Sequence, residues 1–472
     1  MIPWLVWVVS LWLLFVAIAR RTHPQLAVGV VVPLAWLAPV WIQWTLFEST
    51  GDTIVGTGID VKLGTTIAVL VSYLFFKRST YPIRLVPCDF AMIGLICVHG
   101  MSDLYYQGLQ PIVLGRMYAE WWAPYVVGRI AFQYRADISR FWPLIAGVAI
   151  MLACMSALEM GLGSSWYEEL FGARPTEGRL EIAMRWKLRR AYGPTLNPIY
   201  FGCLQLLLMA WTMYAALRAI SNQASLAWLI APVISCVGIV CTGSRAPMLG
   251  MVITIPALLY FRVPQFRWGL LAIALVGSLI VVSQREVLIK GLEQWSGEDR
   301  YVHKRVDVGD GESKEYSTTR YRLLLLDVYK IAFQRAGLLG FGTEAVTGFP
   351  IHVPVGPREV ETLHKLRMID NTYLLITLRF GYLGLLCFAS AAILAVWQLS
   401  VISVPLRHEN IGLLTATLAS SLLAILPVLF TVWMPQDYGF ILIWSWGASS
   451  GMYLAHRLGS FNEAPPRESR VE

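Results

Sequence analysis

The side chains best suited to chemistry in this chain are arginines standing where an apolar protein would not ordinarily put them. Arg320 and Arg322 open a run from Leu323 to Arg335 whose apolar residues recur at helical spacing, and the run ends in Gly337-Leu-Leu-Gly-Phe-Gly342. That pattern predicts a helix laid along a membrane surface and closed by a glycine turn. Guanidinium forks at a helix start, beside the N–H groups of its first turn, suit a phosphate. A second group, Arg185-Trp-Lys187-Leu-Arg189-Arg190, precedes Gly193-Pro194-Thr-Leu-Asn197-Pro198. It fits either an anionic ligand or an interfacial helix whose basic face meets lipid headgroups. A third site, Arg245, sits in a tight connection between two apolar segments. An arginine there is costly unless it is paired or functional, although one at a helix end can also snorkel.

Composition says what kind of elements must hold these residues. The chain has 472 residues, of which 56% are hydrophobic and 14% charged. Its mean hydropathy is +0.58, and it holds repeated apolar runs of about 17 to 25 residues. An ordinary soluble domain is excluded, and an all-α polytopic membrane protein is expected. The net charge of +8 is spread over short loops rather than gathered in one patch, so it orients the chain instead of binding nucleic acid. The seven cysteines lie in or beside apolar segments without a C-x-x-C pair, which indicates neither a disulfide framework nor a zinc site. The acidic run Asp307-Val-Gly-Asp310-Gly-Glu312 lacks both EF-hand spacing and D-x-D and reads as a solvated loop. The first segment, 3–19, has no basic leader and no clear A-x-A site, so it reads as a retained span.

Hydropathy places spans near 3–19, 25–47, 61–76, 87–102, 110–132, 141–160, 197–217, 226–243, 246–261, 268–283, 371–397, 411–433 and 438–456, about 12–13 transmembrane helices in all. Basic connections at Arg20, Arg21, Lys77, Arg78, Arg84, Arg135, Arg140, Arg218, Arg262, Arg267, Arg407 and Arg457 mark the cytoplasmic side. Glu48, Asp52, Asp103 and Asp437 mark the other. The organisation expected is therefore 1–283 as helices with a short outer amphipathic loop at 161–196, a large periplasmic loop at 284–370, further helices at 371–456, and a cytoplasmic tail at 457–472. Arg116, Glu120 and Asp89, inside or beside spans, keep a transporter in view, though an i,i+4 pair of Arg116 with Glu120 explains two of them.

The motifs resemble those of the O-antigen ligase and O-antigen polymerase superfamily. Thr242-Gly-Ser-Arg245-Ala-Pro-Met-Leu-Gly250 is similar to its T-x-S-R-G-x-x-L-G segment, and Arg322 followed by Gly340-Phe-Gly342 is similar to its arginine, amphipathic helix and G-x-G turn. Asp370-Asn371-Thr-Tyr373-Leu-Leu with Gly381-Tyr-Leu-Gly384-Leu resembles its H-N-x-Y-L and G-x-x-G-L run, and Tyr192-Gly-Pro-Thr-Leu-Asn197-Pro198 its G-x-x-x-N-P motif. Together these cover about residues 185 to 400.

The resemblance implies a GT-C-type helical fold in a bacterial inner membrane. It also implies transfer of a glycan from an undecaprenyl diphosphate carrier to an acceptor glycan or lipid on the periplasmic face, with no cofactor and no required metal. Arg245 and Arg322, with Arg320, Arg190 and the neighbouring Arg189, would then hold the diphosphate while negative charge builds on it. Asn197 and Tyr373 would line the substrate site, and Asp370 would take the proton of the attacking hydroxyl. The chain departs from the ligases in having Asp370 where they carry histidine and Arg379 where they carry glutamate. His364 and His352 are alternative bases in the large loop.

Overall fold

The computed structural model describes residues 2–45, 58–76, 84–108, 115, 118–133, 135–172, 184–221, 223–296, 305–307, 313–315, 320, 322, 325–326, 329–343 and 369–459. Through the first half of the chain the helices are α1 (Ile2–Arg21), α2 (Pro24–Ala35), α3 (Val61–Phe76), α4 (Pro87–Gln107), α5 (Ala123–Ala131, entered through a π-turn at Tyr118–Trp122), α6 (Arg135–Leu162) and α7 (Pro198–Ile220). There follow α8 (Ala231–Cys241), α9 (Arg245–Arg262), α10 (Arg267–Ser283), α11 (Arg285–Ser296), α12 (Thr372–Ser403), α13 (Asn410–Val428) and α14 (Gln436–Arg457). Among the described residues strand is confined to three two-stranded antiparallel pairs: β1 (Gln43–Thr45) with β2 (Gly58–Asp60), β3 (Met184–Arg185) with β4 (Leu188–Arg189), and β5 (Arg305–Asp307) with β6 (Ser313–Glu315). Apolar segments fold this way because hydrocarbon offers backbone N–H and C=O groups no partner but each other.

This is an all-α polytopic membrane protein. The segments Pro3–Arg21, Arg140–Leu162, Pro198–Ile220, Thr372–Ser403 and Asn410–Val428 are each long and apolar enough to cross a bilayer alone. Three further apolar helices are shorter, α2, α3 and Leu226–Cys241 at 10–17 residues, and α9 meets the chain of α10 at 116°. Where they are described, most of the apolar segments anticipated from hydropathy fall on helical chain, but among the described residues fewer helices can cross singly than the expected 12–13. The segment read as 25–47 is the clearest difference. Its helix contains Pro33 and stops at Ala35, after which turns at Trp36–Pro39 lead to β1.

The centre of the bundle is α7, nearly all of it buried, packed against α6, α8, α13 and α14. Leu249, Val252, Ile255 and Leu259 on α9, and Ile273, Leu275 and Leu279 on α10, stay exposed and form the surface expected to meet lipid tails. At one end of the bundle the connections bind one another. Val40 N–H donates to Pro194 O (3.0 Å), Ala191 N–H to Cys241 O (3.0 Å), Leu196 N–H to the Asp437 carboxylate (3.0 Å), and buried Lys62 to Asp437 O (3.3 Å). At the other end Arg129 pairs with Asp89 (3.0 Å) and donates to Arg84 O (2.6 Å). Asp89 also takes the Tyr125 hydroxyl and the Val86 N–H, both at 2.7 Å, so it anchors the start of α4 and has no need of a transport role to explain it.

The break in α12 positions the site. Gly381 has φ 68° and ψ −169°, outside the helical region, and opens the backbone ladder there. The Gly337–Gly342 turn fills the break: Phe341 N–H donates to Leu378 O (2.7 Å) and Gly342 N–H to Arg379 O (2.9 Å), while Tyr382 N–H donates to Gly337 O (2.9 Å) and Leu383 N–H to Leu338 O (3.2 Å). Orphaned groups on both segments are thereby satisfied. The expected surface helix before this turn is helical at 320, 322, 325–326 and Lys330–Arg335, with the rest of Leu323–Arg335 outside the described residues apart from Tyr329.

Candidate active site

The first wall of the site is the junction of α8 and α9. Gly243, at φ 60°, turns the chain left-handed, and Arg245 becomes the first residue of α9, where N–H groups and the helix dipole favour an anion. Buried Arg190 reaches into this turn: its Nε donates to Thr242 O (2.9 Å) and its guanidinium to Ser244 Oγ (2.8 Å). A Cβ on Gly243 would come within 3.2 Å of Arg190 Cγ, so glycine also makes room for the arginine. Arg185 donates to Gly243 O from the neighbouring strand.

Both arginines come from a hairpin rather than from the interfacial helix that the basic run allowed. Trp186 (φ 51°) and Lys187 (φ 64°) form its tip, two non-glycine residues in left-handed backbone. The turn sends Arg185 and Arg190 toward Gly243 and leaves Trp186 and Lys187 exposed.

The second wall brings Arg322 and Asp370 to the same place. Arg322 donates from Nε to Thr431 O (2.8 Å), just past α13. Asp370 lies one residue before the cap of α12, and Asn371 is that cap: its side chain accepts the Leu374 N–H at 3.0 Å. A capping role for Asp370 is thereby excluded. Burial pushes its carboxyl above the usual aspartate range, against the opposing pull of the Arg322 charge. Arg190 feels the same assembly. Burial lowers its pKa to about 10, and the positive charges of Arg185, Arg245 and Arg322 push the same way. Arg185, Arg190, Arg245 and Arg322 thus lie near enough for their charges to act on one another, and Asp370 joins them through Arg322.

The remaining expected residues take more structural positions. Arg189 pairs with Glu168 (3.2 Å) and donates to Gly163 O (3.1 Å). Arg320 is held by Glu293 (3.0 Å) and Glu286 (3.7 Å) of α11. Asn197 caps α7 by accepting the Ile199 N–H (2.9 Å). The Tyr373 hydroxyl donates to Leu426 O (2.9 Å), and its ring lies 4.3 Å from that of Phe430. His364, His352 and Arg116 lie outside the described residues, as do residues 308–312 of the acidic run. Among the described residues no group of three or more His, Cys, Asp or Glu side chains converges as a metal site would require.

Two supports were not legible as site residues. Buried Glu159, at the end of α6, accepts the N–H groups of Tyr192 (2.8 Å) and Gly193 (2.9 Å) and the Ser165 hydroxyl (2.7 Å), fixing the chain that follows Arg190. Asp103 accepts both the N–H (2.7 Å) and the hydroxyl (2.8 Å) of Thr343, latching the glycine turn. Trp121 donates to His99 Nδ1 (3.1 Å), which leaves Nε2 to carry the proton toward Asp103 (3.0 Å). Only a carboxylate near a predicted span end hinted at either.

Fold and site together define a multi-pass helical membrane protein with a cluster of arginines and a raised carboxyl at one end of its bundle. Residues 230–389 match the model of the O-antigen ligase family. That match supports the O-antigen ligase and polymerase superfamily and a role in ligase- or polymerase-type glycan transfer at a bacterial membrane. The matched stretch contains Arg245, Arg320, Arg322, Asp370 and Tyr373 but not Arg189, Arg190 or Asn197. No curated protein matches the chain.

Proposed function

We propose that the protein transfers a glycan from an undecaprenyl diphosphate carrier to a sugar hydroxyl on an acceptor glycan or lipid, at the periplasmic face of the inner membrane. The observation that carries this reading is that Arg322 lies within reach both of Arg190, which holds the turn before Arg245, and of buried Asp370. The acceptor oxygen attacks the anomeric carbon while the bond from that carbon to the diphosphate oxygen breaks. The diphosphate leaves with the bonding electron pair, and the hydroxyl proton passes to Asp370. Charge developing on the leaving group is met by Arg245 and Arg322 and by the N–H groups at the start of α9. Asp370 is suited to the base role because burial raises its proton affinity, and because Asn371 takes over the cap. Arg190 supports Thr242 and Ser244, which precede Arg245, and adds a buried positive charge.

The test is transfer by purified protein in lipid nanodiscs. Asp370→Asn should abolish elongation or ligation of lipid-linked glycan with the protein still folded. Full activity in that variant would remove the proposed base.

A further inference from the structure

A buried base must give up the proton it takes before it can act again, and the side chains around Asp370 include one hydroxyl placed to receive it. Tyr200 stands in the first turn of α7 and is only 9% exposed. Its ring lies edge-on to Trp433, with 6.5 Å between centroids, and 6.1 Å from the ring of Tyr438. Both neighbours lead to a carboxylate. Tyr438 follows Asp437 in α14. Trp433 follows Val432, whose carbonyl accepts the Thr372 hydroxyl (2.6 Å), and Thr372 lies two residues beyond Asp370. The charges of Asp370 and Asp437 accordingly both act on the Tyr200 hydroxyl.

The two tyrosines differ in what their hydroxyls do. That of Tyr438 donates to Trp433 O (2.9 Å), whereas among the described residues that of Tyr200 makes no hydrogen bond. A buried hydroxyl without a partner is costly, and one flanked by two carboxylates can accept a proton from the first while donating its own to the second. Asp437 leads out of the bundle: its carboxylate accepts the N–H of exposed Leu196 (3.0 Å), and Lys62, paired with Asp60, donates to its backbone oxygen. On the other side, the Arg322 charge reaches Asp370 and also Cys203, three residues beyond Tyr200 on α7. We propose that Tyr200 relays the proton from Asp370 to Asp437 after each transfer. The carboxyl O–H of Asp370 breaks as its proton binds the Tyr200 oxygen, and the Tyr200 O–H breaks as its own proton binds the Asp437 carboxylate. Asp437 then releases that proton to water, and Asp370 is charged again. The proposal rests on the reading of Asp370 as the base of a glycan transferase.

Tyr200→Phe, in the full chain in nanodiscs, removes only a hydroxyl without a hydrogen bond, so its Tm should equal or exceed that of the parent. With enzyme in excess over lipid-linked glycan, the single transfer should run within about twofold of the parent rate, because Asp370 starts charged. With glycan in excess, product should appear as a burst equal to the enzyme and then at a rate lower by about tenfold or more, restored in part by added imidazole. Equal losses in single and multiple turnover would place Tyr200 in the transfer step or the fold, and a parent rate in both would dispense with it. Either result overturns the relay. Infrared spectroscopy decides the same point without transfer. In acid, the C=O band of protonated Asp370, identified by its absence in Asp370→Asn, should shift in heavy water about tenfold more slowly in Tyr200→Phe than in the parent. Equal exchange rates overturn the relay. A parent that transfers no glycan counts against the transferase reading instead, and the exchange rates still decide the relay.

Discussion

Gly340 and Gly381 meet backbone to backbone: a Cβ built on either would lie 2.5 Å from the other's nitrogen. Both have positive φ, 71° and 68°, so each glycine is required for conformation as well as for space. Through this contact the turn that follows the Arg322 segment is clamped into the helix that begins beside Asp370.

Alanine at either position should therefore separate the two walls of the site. Gly340→Ala and Gly381→Ala are each expected to cost about 2 kcal/mol or more, seen as a lower Tm in detergent and loss of transfer. Gly161→Ala in α6, where a Cβ would meet nothing within 4 Å, is the control and should leave both unchanged. A wild-type Tm in both clamp variants would show that the contact yields easily.

Arg245 and Arg322 should be intolerant of lysine. Lysine keeps one positive charge but loses the two-pronged donor geometry, so transfer should fall by about 10- to 1000-fold while the protein stays in the membrane at normal level. Near-normal glycan assembly in Arg322→Lys would argue against a fork acting on the diphosphate.

Asp370 and its neighbour separate base from cap. Asn371→Ala should lower stability by about 1 kcal/mol with transfer retained below the new Tm, because it removes the bond to Leu374 N–H. Asp370→Asn should do the opposite, leaving Tm alone and abolishing transfer.

The pH profile follows from the direction of the Asp370 shift. A base works only when deprotonated, and burial raises this carboxyl, so transfer should fall as pH drops through a value above the ordinary aspartate range of about 4. Asp370→His should keep partial activity with its acid limb moved up toward about 6.5. An acid limb at or below about 4 in the parent would place the base elsewhere.

Orientation is checked at the β5–β6 hairpin. A cysteine at Ser313, in a parent with exposed Cys97 and Cys154 changed to serine, should react with a membrane-impermeant thiol reagent in intact spheroplasts. Labelling only after lysis would turn the 284–370 loop to the cytoplasm and remove the periplasmic mechanism.

The membrane class and the helical character were legible in the linear chain, since hydropathy and span length are local properties. Arg245, Arg322 and Asp370 stand out in the same way as charged residues at the edges of apolar runs, and they remain proposals for the site. What each does depends on partners remote in sequence. The basic run at 185–190 splits into a pair turned onto Gly243 and Thr242, and an Arg189 bound to Glu168, only because Trp186 and Lys187 close a hairpin between them. Asp370 and Asn371 are adjacent and similar, and only the folded start of α12 shows that Asn371 carries the cap. The glycine motifs at 340 and 381 are 41 positions apart in the chain. Their meaning is a single backbone contact, which exists only when the broken helix and the turn that fills it are brought together, because each supplies the hydrogen bonds the other lacks.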